Sequence, residues 1–513
     1  MKKRIFLKNV GLVTILLLFD LWSNIAYSQQ NSTDHKITFK LKITELENPG
    51  SVFILGPVRP WINFNAAPKT EMTIDANGFY SAILLVPDSL LYKKLKYTFR
   101  NERNRTDIRR EIIIKENSPL IQTDLWGYLD GLEGKIKPFQ QMLASQTNTP
   151  EEAAVLAKPY FGITFDGKKQ TGLFPIQSTG QSTLPTKIAV EAFLNSLSTE
   201  QKAKCTFEID SDEWRKWHNI EFYKRTGIGL EELSPTQKEL AFKILEASLS
   251  TKGLKKSKDV MAMETYLAYI TPTNKLLGGE KYWFTFMGTP SKNEPWGFQF
   301  DGHHLIINYF ILGDQVVMTP TFMGSEPNYI PEGPNKGLRT YEAEELKGLA
   351  FFNSLDAKQK QKATVWHNLD QDFNRTEAFR DNEILPKQGI SAKELNQKQI
   401  EILLDLIKEY VGNMKEGHAM VKMAEVKKHL NETYFSWVQT DGVDDLYYYR
   451  IHSPVILIEF DHQIPVAVWD REKPRPGPVK YHIHTVVRTP NGNDYGKDLL
   501  KEHLELHRNG VKH

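Results

Sequence analysis

Three stretches recur in the same order along this 513-residue chain, and that recurrence limits its fold more than any other feature. Phe193-Leu-Asn-Ser-Leu-Ser-Thr-Glu-Gln-Lys returns as Phe352-Asn-Ser-Leu-Asp-Ala-Lys-Gln-Lys. Trp217-His218-Asn219 returns as Trp366-His367-Asn368. Gly227-Ile-Gly-Leu-Glu-Glu-Leu-Ser-Pro-Thr-Gln returns as Gly389-Ile-Ser-Ala-Lys-Glu-Leu-Asn-Gln-Lys-Gln. Behind each set comes an amphipathic helix and then an aromatic hairpin. The first half pairs Tyr282-Trp-Phe-Thr-Phe with Trp296-Gly-Phe-Gln-Phe, the second Tyr434-Phe-Ser-Trp with Tyr447-Tyr-Tyr-Arg-Ile. The pattern predicts an internal duplication: two α+β repeats, 185–340 and 341–513, packed as one unit about a pseudo-two-fold axis.

The segment ahead of the repeats reads differently. Residues 1–28 look like a secretory signal peptide: Lys2, Lys3, Arg4 and Lys8 precede an apolar run from Val10 to Leu21, and the small residues Ala26 and Ser28 stand at −3 and −1 of a cut before Gln29. That run is short for a membrane span, and no later stretch approaches roughly 18 apolar residues. The expected product is a soluble periplasmic or secreted protein with no integral membrane segment. Its only cysteine, Cys205, excludes an internal disulfide, and nothing nearby would activate it as a nucleophile. Basic and acidic residues, 65 and 63, are interspersed to a net charge of +2, so nucleic acid is not an expected partner.

From 35 to 130 the chain alternates apolar and polar residues in short runs, as in Lys36-Ile-Thr-Phe-Lys-Leu-Lys-Ile-Thr, with Asp75-Ala-Asn-Gly78 as a turn. Short alternating strands at this spacing predict an immunoglobulin-like β-sandwich. The succession of Val-Phe-Ile-Leu-Gly, Trp61, Gly-Phe-Tyr and Lys-Tyr-Thr-Phe resembles carbohydrate-binding modules of the starch- and glycogen-binding type. That resemblance implies Trp61, Tyr80 and Tyr97 as residues that stack on sugar rings. A helical linker and a Gly- and Thr-rich loop, 131–184, then lead into the repeats.

The runs Tyr160-Phe-Gly-Ile-Thr-Phe-Asp-Gly, Glu213-Trp-Arg-Lys-Trp-His-Asn, Trp296-Gly-Phe-Gln-Phe-Asp-Gly-His-His-Leu, Pro320-Thr-Phe-Met-Gly-Ser-Glu-Pro and Gly492-Asn-Asp-Tyr-Gly together resemble the bacterial family called domain of unknown function 3500, over about 158–507. The resemblance brings no reaction with it, so chemistry has to be argued from the residues.

Histidine carries that argument. In Tyr481-His-Ile-His-Thr-Val-Val, the strand period of two sends His482 and His484 out of one face, close enough to share a metal ion. The matching half holds Gly302-His303-His304, where a bend at Gly302 can re-aim adjacent side chains. Equivalent hairpins of related halves meet across a pseudo-axis, so one site is expected to gather His303 or His304 with His482 and His484. His452, near the equivalent of Gly302-His303-His304, and His503, on the apolar stripe of a helix from Lys497 to Arg508, are further candidate ligands. His507 lies one turn beyond His503, and there an effect on stability is expected. Glu459, embedded in Val455-Ile-Leu-Ile-Glu-Phe, is either ion-paired with Arg450 or Arg488 or a general base. Glu326, between Ser325 and Pro327, is a second carboxylate for proton transfer or for orienting a histidine. Trp61, Trp296, Arg488 and Asp494 are the candidate substrate contacts.

Imidazole ligation without thiolate suits zinc first, with copper or iron as alternatives. Zinc implies hydrolysis of a small-molecule or glycan substrate, whereas copper or iron implies oxidation. The rival expectation is a non-catalytic exported protein that holds a glycan or peptide on Trp283, Trp296 and Tyr447–Tyr449.

Overall fold

A computed structural model describes residues 35–43, 50–58, 69–86, 90–102, 110–114, 121–125, 150–271, 274, 276–443, 445–469 and 475–508. The signal segment 1–28, Trp61 and residues 131–149 of the expected linker lie outside the described residues. The chain divides into two compact units, Met1–Ala144 and Ser145–His513.

The first unit is a β-sheet. Its strands are β1 (His35–Lys42), β2 (Val52–Val58), β3 (Lys69–Ile74), β4 (Phe79–Val86), β5 (Lys94–Asn101), β6 (Arg110–Ile113) and β7 (Ile121–Leu125). They run in the order β6-β5-β2-β3-β4-β1-β7. Strict alternation in β1 buries Ile37, Phe39 and Leu41 and turns the lysines outward. The Asp75 carboxylate shapes the β3–β4 turn by accepting from the amides of Asn77 (2.9 Å) and Phe79 (3.0 Å). Phe39 of β1 meets Tyr97 of β5 with ring centroids 4.9 Å apart. Tyr97 itself is buried, its hydroxyl 3.0 Å from Asp124 Oδ2, so it is a core residue rather than a sugar platform.

The second unit is organised by one 13-stranded sheet. Its strands are β8 (Thr206–Phe207), β9 (Ile228–Gly229), β10 (Tyr282–Met287), β11 (Trp296–Gly302), β12 (Leu305–Leu312), β13 (Gln315–Val317), β14 (Thr321–Ser325), β15 (Thr364–Trp366), β16 (Ile390–Ser391), β17 (Tyr434–Gln439), β18 (Tyr447–His452), β19 (Leu457–His462) and β20 (Ile483–Arg488). The order β15-β17-β18-β19-β20-β14-β12-β11-β10-β8 has β20 and β14 antiparallel at its centre, with the strands of each half running outward from them.

The helices are α1 (Pro150–Leu156), α2 (Leu184–Ser196), α3 (Thr199–Cys205), α4 (Pro235–Ser248), α5 (Thr251–Ile270), α6 (Glu342–Ser354), α7 (Ala357–Ala363), α8 (Gln397–Val411), α9 (Glu416–Lys428) and α10 (Lys497–Arg508). Two of the three recurring stretches take the same local structure in both halves, whereas Trp217 is a buried loop residue and its counterpart Trp366 ends β15 exposed to solvent. Ser198/Gln201 and Asp356/Gln359 form capping boxes at α3 and α7, and Ser234/Gln237 and Asn396/Gln399 do so at α4 and α8. The two glutamines on α4 and α8 also tie back to the ends of α2 and α6, at 2.9 Å to Ser196 O and 2.9 Å to Ser354 O. Gly227 and Gly389 sit at φ +103° and +85°, where a Cβ would run into the carbonyls of Phe284 and Phe435.

Alternation along the strands assigns the sheet's two faces. Phe284, Phe298, Met323, Trp437, Tyr449 and Ile483 join one continuous core with residues of the helices. Phe310, Phe322, Val486, Trp214, Trp217 and Tyr495 form the core of the other face. Cys205 is buried, and burial pushes its thiol up to about 12, as expected of an inert core cysteine.

Candidate metal centre

The two central strands end together, and their ends bring imidazoles from both halves to one place. His482 and His484 leave β20 on the same side, as the strand period requires. Antiparallel pairing sets Gly324 of β14 opposite His484, and the Gly324 amide donates to His304 O at 2.8 Å. Gly324 therefore lies between two histidine side chains. A Cβ there would come within 2.9 Å of Cδ2 of both His304 and His484, so only glycine lets the rings converge. Ring centroids lie 4.7 Å apart for His482–His484, 5.7 Å for His304–His484 and 6.1 Å for His304–His482. One donor atom from each of the three falls within 4.8 Å of the others.

Every Nδ1 in this group faces an acceptor. His482 Nδ1 donates to Ile464 O at 2.8 Å, and His484 Nδ1 to Glu377 Oε1 at 2.8 Å. His304 Nδ1 bonds Glu264 Oε1, and the adjacent His303 Nδ1 lies 3.1 Å from Glu264 Oε2. These partners assign the protons to Nδ1 and leave the Nε2 lone pairs for the centre, which is how metal-binding histidines are oriented. His482 Nε2 and His484 Nε2 stand 3.0 Å apart. Two lone pairs that close repel unless a proton or cation lies between them.

Electrostatics favours a cation. Burial, reinforced by the neighbouring imidazoles, holds His482 well below the usual histidine range, and burial lowers His304 too, so both are neutral near pH 7. Burial also opposes ionisation of Glu264 and Glu377, but the histidines they bond outweigh it and both carboxyls stay below the usual range. One buried carboxylate, Glu264, and one half-buried, Glu377, beside these imidazoles match the charge of one divalent ion. Access is from the side of His303 and Glu377, whose side chains are 17% and 26% exposed. A cavity of about 430 Å³, lined by Met323, Met414, Ile456, Thr485 and Val487 on the helix side, takes in none of these histidines.

The other candidates lie elsewhere or serve other purposes. His452 of β18 is 2% exposed, stacks 4.0 Å from the Phe165 ring, and finds no hydrogen-bond partner for either ring nitrogen among the described residues. It does not join the centre. His503 belongs to a different group, with His507 and Glu294. Glu326 is not placed as a general base, because its oxygens accept from the amides of Val466, Ala467 and Val468 at 2.7–3.0 Å. The carboxylate also stands, through Oε2, 3.7 Å from His482 Nδ1, on the side expected of a carboxylate that orients that ring. It anchors the loop whose Ile464 carbonyl orients His482.

Glu459 is likewise committed. It accepts from the Arg375 and Thr376 amides (3.0–3.1 Å), the Thr376 hydroxyl and the Tyr448 hydroxyl (2.5 Å), rather than from Arg450 or Arg488. That grip holds the loop that delivers Glu377. Arg488 and Asp494, expected to touch substrate, are fully buried. Arg488 bonds Asp381 at 2.8 Å and Asp494 at 3.2 Å, and Asp381 also takes Arg215 and the Tyr495 hydroxyl at 2.9 Å each. Trp296 is 1% exposed, with its indole N–H on Ser291 O, and Tyr447–Tyr449 are buried as well, so these aromatics are core.

Sequence reasoning missed Glu264 and Glu377. Glu264 had a signal, as a lone carboxylate on the stripe Val260, Met261, Glu264, Leu267 of α5, where a buried charge needs partners. Glu377 had none, because its loop has no periodicity to read. Among known proteins, the family model described as "Protein of unknown function (DUF3500)" matches residues 179–497. No curated protein and no solved structure matches the chain.

Proposed function

For this chain, which belongs to the DUF3500 family, we propose an exported metal-dependent enzyme whose centre is His304, His482 and His484, with hydrolysis preferred over oxidation. One observation carries the reading: three imidazoles from both halves bring one donor atom each within 4.8 Å of the others, while each Nδ1 is held by a carboxylate or carbonyl. Glu264, Glu377 and Ile464 O would fix the ring orientations and raise ligand basicity. Three neutral nitrogens without thiolate suit zinc best, and copper or iron remain compatible with the donors. What zinc supplies in such a site is a bound water acidic enough to act as a nucleophile near neutral pH. Burial favours the neutral form of His304 and His482, and Glu377 stays at the solvent edge beside His484.

The substrate is proposed to be a small molecule or glycan. The rival binding-protein reading keeps only the half-buried Trp283, beside the Arg225 guanidinium, since Trp296 and Tyr447–Tyr449 are buried. Among the described residues no helix is long and apolar enough to cross a membrane. Export rests on the signal-like segment 1–28, and a mature N-terminus at Gln29 is the expected result of sequencing the native protein. The two halves are proposed to be a true duplication, supported by their matching caps and strand order, and the N-terminal sheet a sandwich of carbohydrate-module type.

Elemental analysis of the dialysed full chain tests the centre. We expect a tightly held transition metal that His304→Ala loses. A wild-type protein that retains none, and whose melting temperature does not rise when zinc is added, overturns the proposal.

A further inference from the structure

We propose a second metal site, separate from the central one, in which His503 and His507 of α10 and Glu294 of the β10–β11 loop bind a divalent transition-metal ion and clip the C-terminal helix to the first half of the sheet. The two histidines are one helical turn apart, so their side chains leave α10 on the same face, and their ring centroids are 4.3 Å apart. His503 Nε2 lies 3.3 Å from Glu294 Oε2. One donor atom from each of the three residues falls within 4.8 Å of the others.

Each arm is held in place. His503 is buried along the stripe formed with Leu499 and Leu500. Glu294 sits in a turn where the Ser291 hydroxyl accepts from the amides of Asn293 (3.2 Å) and Glu294 (3.1 Å). The same turn is pinned by the buried Trp296, whose indole donates to Ser291 O at 2.9 Å. The Glu294 side chain is 59% exposed and His507 is exposed, so an ion can arrive from solvent.

A lone histidine–carboxylate contact at the solvent edge contributes little. The third donor changes the chemistry. Two imidazole nitrogens and a carboxylate oxygen fit zinc, nickel or copper, whereas calcium and magnesium favour all-oxygen shells. None of the three residues belongs to the central group. The consequence is also separate: α10 follows directly on the turn that carries Asp494 and Tyr495, so an ion here would hold the end of the helix that packs beside the buried Arg488 network.

Amide hydrogen exchange on the full chain, with and without Ni²⁺, tests this site by location. With free Ni²⁺ at ten times its dissociation constant, exchange over the last turns of α10 should slow about tenfold. His507→Ala and Glu294→Gln should abolish the slowing without altering exchange in metal-free protein. The His482→Ala/His484→Ala protein should retain it, whether or not the central centre binds metal. Equal slowing in His507→Ala, or no slowing in the wild type at millimolar Ni²⁺, overturns the proposal.

Discussion

The β11–β12 and β18–β19 turns occupy matching places in the strand order, yet their histidines meet different surroundings. In the first, α5 runs 20 residues and sets Glu264 beneath both His303 and His304. In the second, α9 stops after 13 residues at Lys428, and His452 packs on Phe165 with no polar partner among the described residues. Both histidines beside these turns, His304 and His452, are buried, and burial depresses the basicity of both. Burial alone therefore does not make a site. A buried imidazole becomes a candidate ligand when an acceptor fixes one nitrogen and other donors converge on the second.

The largest expected effect separates the two turns outright. His482→Ala/His484→Ala should empty the central site of metal with the fold largely intact, because ligand loss removes little packed volume. His452→Phe should keep the full metal content. Elemental analysis of the three proteins decides, and loss of metal in His452→Phe would break the contrast.

Glu264→Gln and Glu377→Gln come next. Each should weaken metal binding about 10–100-fold by loosening ring orientation, measured by competition with a chromophoric chelator. Unchanged affinity would reduce both carboxylates to structural partners.

A smaller effect of opposite sign is expected at the other turn. His452→Phe removes two buried unpaired nitrogens, and it should raise stability by about 1 kcal/mol in urea denaturation. A loss of stability would mean that His452 has a partner worth finding.

The smallest is a pH effect at the far end of β20. Burial pushes Asp494 up to about 6 against the pull of Arg488. Because the folded value lies above that of a free aspartate, the folded form binds the proton more tightly. Its contribution is complete below about 4 and is lost as pH rises through about 6. Relative to Asp494→Asn, the wild type should gain stability between pH 7 and pH 4.5, and parallel denaturation profiles at the two pH values would exclude this.

Much of the framework could be read from short-range pattern. Alternation marked the strands of the first unit, the recurring stretches marked matching places in the two halves, and His-x-His put two imidazoles on one face. The helix Lys497–Arg508 took the expected bounds. These signals are legible because side-chain period acts over a few residues. Roles that depend on distant partners were not legible. Glu264 meets His304 across 40 residues, and Glu377 meets His484 across 107. Glu326, Glu459, Arg488 and Asp494 look as available in the sequence as Glu377 does, yet loop amides, hydroxyls or opposite charges already engage them. Residue type states what a side chain can donate or accept, but packing decides which partner reaches it first. A buried charge is stable only with the partner that the tertiary fold supplies.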